Sequence, residues 1–300
     1  MSGTRQPVFI TVAGRKNVGK TYTTKLFIKK YLIGNKSKNV AGRKVLVLDT
    51  NNEKAYSKIK KISIKNLFND KYKNEIKIFS SDINNVDIRR VEPIHPFENR
   101  PLTSDELSIV LEYLINNFWG GMLVVEDILK IISDSLKKDI VGGLATMRHR
   151  NCDVITHFQY KKKLLNPKIY GNTDLIRIHK TNDSFYDYLT HIKGDKNLLL
   201  LTEHLVDYKN KLDKYKIISK DNNTIYSYYA YADITTGKII GEYNKNDVAI
   251  VIDEFISRNN NILKPLTNKI DSNGKCVYSL SEAWEIVKKQ IADEYFGIRL

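Results

Sequence analysis

One loop near the start of the chain has the residue types and spacing that bind phosphate groups. The pattern G-x-x-x-x-G-K-[ST] is matched by Gly14, Arg15, Lys16, Asn17, Val18, Gly19, Lys20 and Thr21, and Tyr22 follows it. Glycines let the backbone curl so that successive N–H groups point at phosphate oxygens, and Lys20 then reaches the β- and γ-phosphates. Thr21 supplies a hydroxyl for Mg²⁺. We therefore expect this loop to bind ATP together with Mg²⁺.

A carboxylate pair follows an apolar run in the middle of the chain. Residues 122–125 read as a buried strand, and Glu126 and Asp127 come directly after it. A carboxylate at this point can hold Mg²⁺, often through water, while its neighbour orients the attacking water. By position Glu126 joins Thr21 as a metal ligand and Asp127 is the catalytic base. The usual order is Asp then Glu, so the sequence leaves the two roles open, and a pair that caps a helix is the structural alternative.

Polar residues also flank the strand predicted at residues 154–158. Gln159 ends that strand, where its amide would lie near the γ-phosphate. Arg148, or else Arg150, lies just before it and could stabilise the transition state at a neighbouring subunit's nucleotide. A basic surface turn explains these arginines equally well. The three lysines at 161–163 could contact a phosphate backbone, although such a charge run is usually a solvated face.

A second acidic pair late in the chain matches the usual order better. Asp253 and Glu254 follow an apolar run at residues 249–252. The same stretch also fits helical spacing, and Asn246 or Asp247 is a suitable N-cap. We interpret this pair as part of a helix rather than as a metal site.

The hydrophobic pattern predicts a sheet that could bring the candidate residues together. Strands are predicted near residues 7–12, 44–49, 87–95, 122–125, 154–158 and 175–179, with helices at 22–31 and 103–118. This alternation predicts an α/β domain at residues 1–185, with a mainly parallel central sheet flanked by helices. The phosphate-binding motif lies between a strand and a helix, as its chemistry requires. The expected fold is therefore that of a P-loop NTPase.

Residues 186–300 show a different pattern. Strands at 226–231 and 238–243 around a Gly-containing turn predict a β-hairpin, and helices are predicted at 247–257 and 281–295. We expect a smaller C-terminal α+β extension. The boundary near residue 185 follows from the change of pattern alone.

Composition restricts the classes of partner. The chain has 49 Lys and Arg against 34 Asp and Glu, a net charge of +15, so nucleic acid is the first candidate ligand. Biased codon usage in an AT-rich genome is the alternative origin of the lysines. Cys152 and Cys276 are too few for a disulfide framework or a four-thiolate zinc site. No apolar stretch reaches the ~18 residues that span a bilayer, so we expect a cytoplasmic protein without a membrane partner.

Taken together, these motifs resemble the HerA/FtsK superfamily of nucleic-acid-pumping ATPases. That superfamily includes viral genome-packaging ATPases and the zonular occludens toxin-like proteins of filamentous phages. The resemblance covers about residues 7–180 and rests on four stretches. They are the loop at 14–21, the strand and acidic residues at 45–53, the strand and acidic pair at 123–127, and the stretch from Met147 to Gln159.

The resemblance implies roles for single residues. Arg148 would be an arginine finger that acts in trans, and Gln159 would be the polar sensor of hydrolysis. Lys20, Thr21 and the acidic pair would keep the roles given above. The chain departs from the family pattern at the acidic pair, at Asn151, where Gly is common, and at Phe158, where Thr or Ser is usual.

The leading hypothesis is an ATP-hydrolysing translocase that moves DNA, with double-stranded DNA favoured, into a viral capsid. An arginine in trans requires a homo-oligomeric ring, which would be a pentamer or hexamer. A capsid vertex or portal protein would be its docking partner, in the host cytoplasm or on the virion. Two alternatives stay open: a P-loop kinase, and a nucleotide-dependent DNA-binding switch or scaffold.

Overall fold

The structure is a computed structural model that describes residues 6–82, 84–131, 138–218 and 224–300. The chain divides into two compact units, Met1–Asp174 and Leu175–Leu300. This division falls slightly before the boundary expected near residue 185.

The first unit alternates strands and helices. Its strands are β1 (Phe9–Ala13), β2 (Lys44–Leu48), β3 (Ile88–Val91), β4 (Gly121–Val125) and β5 (Asp153–Phe158). Its helices are α1 (Lys20–Ile33), α2 (Lys65–Phe68), α3 (Glu75–Ser81), α4 (Ser104–Asn117), α5 (Lys138–Thr146), α6 (Lys161–Leu164) and α7 (Pro167–Tyr170). The strands and long helices that the hydrophobic pattern predicts for this region are therefore present, with small shifts at their ends.

The five strands of the first unit form a parallel sheet in the order β1-β5-β4-β2-β3. Every residue of β1, β2, β4 and β5 is buried, as expected for parallel strands covered on both faces. Because the strands are parallel, the loops that follow β1, β4 and β5 all leave the same edge of the sheet. The predicted α/β class with a mainly parallel sheet flanked by helices is confirmed.

Helix α4 shows how closely local sequence signals can fix an element. Its N-cap Thr103 accepts a hydrogen bond from Glu106 N at 3.2 Å, and the Glu106 carboxylate accepts one from Thr103 N at 2.8 Å. This reciprocal pair is a capping box, and it starts the helix where the sequence predicts. The apolar stripe of Leu107, Leu111 and Leu114 is then buried.

The second unit has short antiparallel strands and longer helices. Its strands are β6 (Leu175–Ile178), β7 (Lys216–Ile218), β8 (Thr224–Tyr226), β9 (Ala230–Asp233) and β10 (Lys238–Ile240). Its helices are α8 (Lys196–Lys211), α9 (Lys245–Arg258), α10 (Lys264–Thr267) and α11 (Leu280–Ile291). Strand β9 pairs with both β6 and β10, and β7 pairs with β8. The predicted hairpin exists as β9 and β10, but Tyr226 belongs to β8.

Helix α8, the longest helix in the described residues of this unit, was not predicted from the sequence. Its side chains at positions 198–206 are all buried, including the polar Thr202, Glu203 and His204, so polar residue type does not mark an exposed face here. Four successive leucines, at 198–201, hide the period further. The one local signal is Asp195, whose side chain accepts a hydrogen bond from Leu198 N at 3.0 Å and caps the helix.

The second acidic pair lies in helix α9, as expected. The helix begins after Asn244, whose side chain accepts from Asp247 N at 2.9 Å, so the cap lies slightly earlier than Asn246 or Asp247. Asp253 accepts hydrogen bonds from Trp284 Nε1 at 2.9 Å and from Lys288 Nζ at 2.6 Å. Its carboxylate therefore joins α9 to α11 and has a structural role.

Two further features concern the cysteines and the hydrophobicity of the helices. Both cysteines are free thiols, and burial raises the pKa of Cys152 to about 11. Across the stretches that the structure describes, none of the helices is long and apolar enough to cross a bilayer.

Candidate functional site

The predicted phosphate-binding loop connects β1 to α1 at the edge where the parallel strands end. Asn17 and Gly19 have φ angles of +60° and +79°. A left-handed backbone favours glycine because other side chains are strained there. A Cβ added at Gly19 would meet no atom within 4 Å, so the backbone conformation and not the space requires glycine. Gly14 N donates to Phe158 O at 3.2 Å, which fixes the loop against the end of β5.

Helix α1 begins at the end of this loop. Gly19 gives it no side-chain cap, and its first turn holds no acidic residue. A helix that starts in this way offers its first N–H groups and the positive end of its dipole to an anion. Lys20 Nζ donates to the carbonyl of Gly14 and, at 2.7 Å, to that of Arg15. The ammonium group therefore lies across the loop where phosphates would bind.

A cleft of about 510 Å³ opens beside the loop. The loop contributes eight lining residues: Arg15, Lys16, Asn17, Val18, Gly19, Lys20, Thr21 and Tyr22. The other lining residues follow or end β2, β4 and β5: Asn51, Glu53, Glu126, Asp127, Lys130, His157, Phe158 and Gln159. The structure thus brings the loop together with the acidic pair and Gln159.

Glu126 lines this cleft, and its carboxylate is held by side chains from two other parts of the unit. Tyr56 donates its hydroxyl to Oε1 of Glu126, and His157 Nδ1 lies 2.6 Å from Oε2. The other ring nitrogen of His157 lies 2.9 Å from the Thr24 hydroxyl on α1. Glu126 is 3% exposed. Close polar contacts through His157 therefore connect the helix that follows the loop with the acidic residue that ends β4.

The electrostatics of Glu126 depend on the same contacts. Burial alone would raise its pKa, but the charge of His157 and the hydrogen bonds from His157 and Tyr56 lower the pKa overall. Glu126 is therefore held in its ionised form. Burial, together with Glu126 and Asp49, raises the pKa of Glu53, which also lines the cleft. A bound cation would stabilise this group of carboxylates.

Asp127 has a different environment from its neighbour. Its φ of +41° is unusual for a residue with a side chain. Gln159 Nε2 donates to Oδ2 of Asp127 at 2.8 Å. The other oxygen, Oδ1, is buried and has no hydrogen-bond partner among the described residues. Since a buried acceptor without a partner is unfavourable, Oδ1 is the atom best suited to receive a hydrogen bond from a ligand or water.

Three residues of the site were missed by sequence reasoning. Tyr56 lies in a Lys-rich connection, and its partner Glu126 is 70 positions away, so no local pattern links them. His157 reads as one polar residue inside a buried strand. Thr24 lies within α1, one turn after the motif ends. A buried polar residue at the end of a parallel strand was the available signal for His157.

The structure does not bring Arg148 into the cleft of its own chain. It precedes β5, so it lies at the amino end of a strand whose carboxyl end forms the cleft. Its guanidinium donates to Asn172 O and lies 2.9 Å from Asp174 Oδ2. Arg150 Nη1 donates to Asn116 O at 2.6 Å. Both arginines have partners in their own unit, and a role in trans stays a prediction.

The lysines after Gln159 do not form a uniform basic surface. They form α6, in which Lys161 is 2% exposed while Lys162 and Lys163 are exposed. The first of them is therefore part of the interior of the unit.

Comparisons with known proteins found similar solved structures at low identity. No protein-family model and no curated protein sequence matches the chain. The genome-packaging NTPase B204 of Sulfolobus turreted icosahedral virus 2, solved with ATP-γ-S, is 15% identical with a TM-score of 0.48, over 79% of this chain and 97% of that one. VirB4 of Thermoanaerobacter pseudethanolicus is 11% identical with a TM-score of 0.46, over 82% and 92%.

The N-terminal domain of zonular occludens toxin from Neisseria meningitidis is also similar. It is 15% identical with a TM-score of 0.33, over 59% of this chain and 79% of that one. The similar structures thus include the two kinds of protein that the sequence motifs resemble. At these values the function has to be inferred from the chain's own residues.

Proposed function

We propose that this chain is an ATP-hydrolysing nucleic-acid translocase, and that it serves as a subunit of a viral DNA-packaging motor. One observation carries the ATPase part of the proposal. The phosphate-binding loop, the acidic pair and Gln159 come from three strand ends and line a single cleft. Binding and hydrolysis of a nucleoside triphosphate require these groups together.

Nucleotide binding follows from the loop. Backbone N–H groups at the start of α1 bind the phosphate oxygens, and Lys20 exchanges its carbonyl partners for the β- and γ-phosphates. The exchange is favourable because a phosphate group is negatively charged and a carbonyl group is neutral. Tyr22 is 68% exposed at the rim of the cleft, where it can contact the rest of the nucleotide.

The residues of the cleft fit Mg²⁺. The Thr21 hydroxyl and the ionised Glu126 both line it, and a carboxylate oxygen that already accepts one hydrogen bond can accept another from a metal-bound water. Thr21 and, through water, Glu126 would therefore hold the ion. Mg²⁺ would neutralise charge on the β- and γ-phosphates as their bond breaks.

Asp127 has the geometry of the general base. Its Oδ1 can accept the proton of an attacking water, because Gln159 holds Oδ2 and so fixes the plane of the carboxylate. Gln159 itself would respond to the loss of the γ-phosphate by changing this contact. Asp127, after β4, would thus accept the proton, and Gln159, after the neighbouring strand β5, would sense hydrolysis.

Movement of DNA is supported by charge and by the motif resemblance. The net charge of +15 favours a polyanionic substrate. Arg148 matches the arginine finger of the HerA/FtsK ATPases that the motifs resemble, and its side chain is 35% exposed. To act on a neighbour's nucleotide it would exchange Asp174 for the γ-phosphate. The ring, a pentamer or hexamer, and its docking to a capsid vertex or portal protein belong to the same proposal.

A complementation experiment tests both the ATPase and the ring. Lys20→Ala should abolish ATP hydrolysis, and Arg148→Gln should do the same if Arg148 acts in trans. Mixing the two inactive variants should restore part of the activity, because each supplies what the other lacks. Hydrolysis measured with and without double-stranded DNA then tests coupling to the substrate. DNA-independent phosphate transfer to a small acceptor would instead identify a kinase.

A nucleotide-dependent DNA-binding switch is the second candidate. It is favoured by Glu126, whose two oxygens are already engaged by Tyr56 and His157. Slow turnover with nucleotide-dependent DNA affinity would support the switch.

A further inference from the structure

The connection from β2 to α3 concentrates positive charge. We call residues 54–77 the lysine segment: it holds eight lysines and two acidic residues, Asp70 and Glu75, a net charge of +6. The whole first unit, residues 1–174, contains 31 basic and 17 acidic residues, a net charge of +14. Residues 175–300 contain 18 and 17, a net charge of +1. The excess charge of the protein therefore belongs to the first unit, and the lysine segment carries six of its fourteen net positive charges.

The lysine segment is anchored, so its charges occupy a defined surface. Tyr56, Ile62, Ile64 and Ile76 are buried at 7% exposure or less. Residues 60–62 run alongside β3, where Arg90 N donates to Lys60 O at 3.0 Å and Ile62 N donates to Arg90 O at 2.9 Å. Between these anchors the lysines point outward. Those exposed to solvent are Lys54, Lys58, Lys60, Lys61, Lys71, Lys73 and Lys77.

Few of these charges are neutralised within the protein. Lys61 Nζ lies 2.6 Å from Glu92 Oε2, and within the described ranges no other lysine of the segment has an ion pair. Exposed lysines that are not paired raise the local potential and attract polyanions. The ammonium group of a lysine is a compact positive charge, which suits it to contact with a phosphate group.

Exposed aromatic rings lie in the same surface. Tyr72 is 42% exposed and Phe97 is 47% exposed, and their ring centroids are 5.4 Å apart. Lys65 Nζ lies 5.4 Å from the Tyr72 centroid and 5.9 Å from the Phe97 centroid. Surfaces that bind nucleic acid commonly combine basic side chains with aromatic rings that contact sugars or bases.

We propose that the lysine segment, with Tyr72 and Phe97, is the surface by which the chain holds the sugar–phosphate backbone of DNA. The proposal rests on the proposed function, in which DNA is the substrate. The charge of the segment matches a polyanion, and its anchoring gives the contact a fixed geometry.

The same segment begins at the nucleotide cleft. Glu53, immediately before it, lines the cleft, and Tyr56 within it donates to Glu126. A force that DNA exerts on the lysine segment therefore acts on a stretch of chain that contacts Glu126, at the end of β4. This continuity places the DNA contact and the hydrolytic site on one connection.

A pair of charge-matched variants tests the surface in the full-length protein. The segment variant carries Lys58→Gln, Lys60→Gln, Lys71→Gln and Lys73→Gln. The control carries Lys193→Gln, Lys245→Gln, Lys264→Gln and Lys275→Gln, which are also exposed and change the net charge equally. Binding of fluorescein-labelled duplex and single-stranded oligonucleotides is measured by anisotropy across a salt series, with thermal melting as the check on folding.

The segment variant should bind DNA at least about tenfold more weakly, and its slope of log affinity against log salt should fall by about one for each lysine that contacts phosphate. The control should bind as the wild type does. Equal weakening of both variants would mean that net charge alone matters, and unchanged binding by the segment variant would place the contact elsewhere; either result overturns the proposal. A wild-type protein that binds no DNA at low salt would overturn the proposed function itself.

Discussion

Glu126 and Asp127 are adjacent in the sequence, but their surroundings give them different chemistry. Both oxygens of Glu126 are engaged by Tyr56 and His157, whereas Asp127 Oδ1 is buried without a partner in the described part of the chain. Asp127→Asn should therefore lower kcat by about 10²- to 10⁴-fold, because it removes the proton acceptor. The affinity for ATP should change little. Steady-state hydrolysis and binding of a fluorescent ATP analogue measure the two quantities.

Glu126→Gln is the matched variant at the neighbouring position. It should lower the free energy of unfolding as well as the activity, because a neutral amide cannot replace the carboxylate between His157 and Tyr56. An Asp127→Asn protein that keeps its turnover would show that another group accepts the proton.

Tyr56 positions Glu126 without lining the cleft. Tyr56→Phe should lower the free energy of unfolding by about 1.5–3 kcal/mol, the usual contribution of a hydrogen bond to a charged group. We also expect kcat to fall while KM for ATP stays nearly constant, since the removed hydroxyl contacts Glu126 and not the nucleotide loop. Urea denaturation and steady-state kinetics measure these effects.

Tyr113→Phe provides the control for that experiment. Its hydroxyl donates to the neutral side chain of Asn66 at 3.1 Å. Removing this hydroxyl should lower the free energy of unfolding by about 0.5–1.5 kcal/mol and leave kcat unchanged. Equal effects of the two substitutions on kcat would show that Tyr56 does not position Glu126 for catalysis.

At the scale of elements, the turn from β1 into α1 depends on the backbone conformation of Gly19. Gly19→Ala should lower the free energy of unfolding by about 1–2 kcal/mol, because its φ of +79° strains any side chain. ATP affinity should fall with it, since the loop N–H groups lose their arrangement. Gly142→Ala makes the same chemical change within α5, where a Cβ also meets no atom within 4 Å.

At Gly142 the effect should have the opposite sign. Alanine is favoured over glycine in a helix by about 0.5–1 kcal/mol, so this variant should be slightly more stable. Thermal melting of both variants, with isothermal titration of ATP, gives the comparison. A Gly19→Ala protein as stable as the wild type would show that the loop adopts another conformation.

The elements also show what sequence can and cannot predict. Strands such as β2 and β4 were predicted because a short apolar run bounded by polar residues indicates a strand buried on both faces. Helix α8 was not, since four successive leucines hide its helical period and polar residues such as Glu203 and His204 are buried within it. The loop and acidic pair could be identified because their chemistry is local in sequence. Tyr56 could not, because its contact with Glu126 exists only once β2 and β4 are adjacent.

For the molecule as a whole, acid should weaken the second unit through His204. This histidine is 4% exposed, and burial lowers its pKa to about 4, below its ordinary value of 6.5. Between about pH 6.5 and pH 4 the unfolded chain therefore binds the proton that the folded chain does not. Stability is fully present above that window and falls with decreasing pH by up to about 1.4 kcal/mol per unit.

Urea denaturation between pH 7.5 and pH 4.5, for the wild type and for His204→Gln, measures this dependence. The substituted residue does not titrate, so the variant should be less stable at neutral pH and lose less stability on acidification. Parallel curves for the two proteins would assign the acid sensitivity to other groups.

The contact between Trp284 and Asp253 also allows one part of the protein to be followed by tryptophan fluorescence. The chain has two tryptophans, Trp119 in the first unit and Trp284 in the second. In a Trp119→Phe protein the tryptophan fluorescence comes from Trp284 alone, and the indole N–H of Trp284 donates to Asp253 between α9 and α11. Emission then follows the packing of those two helices without any attached dye. The protein thus carries its own optical probe of the second unit.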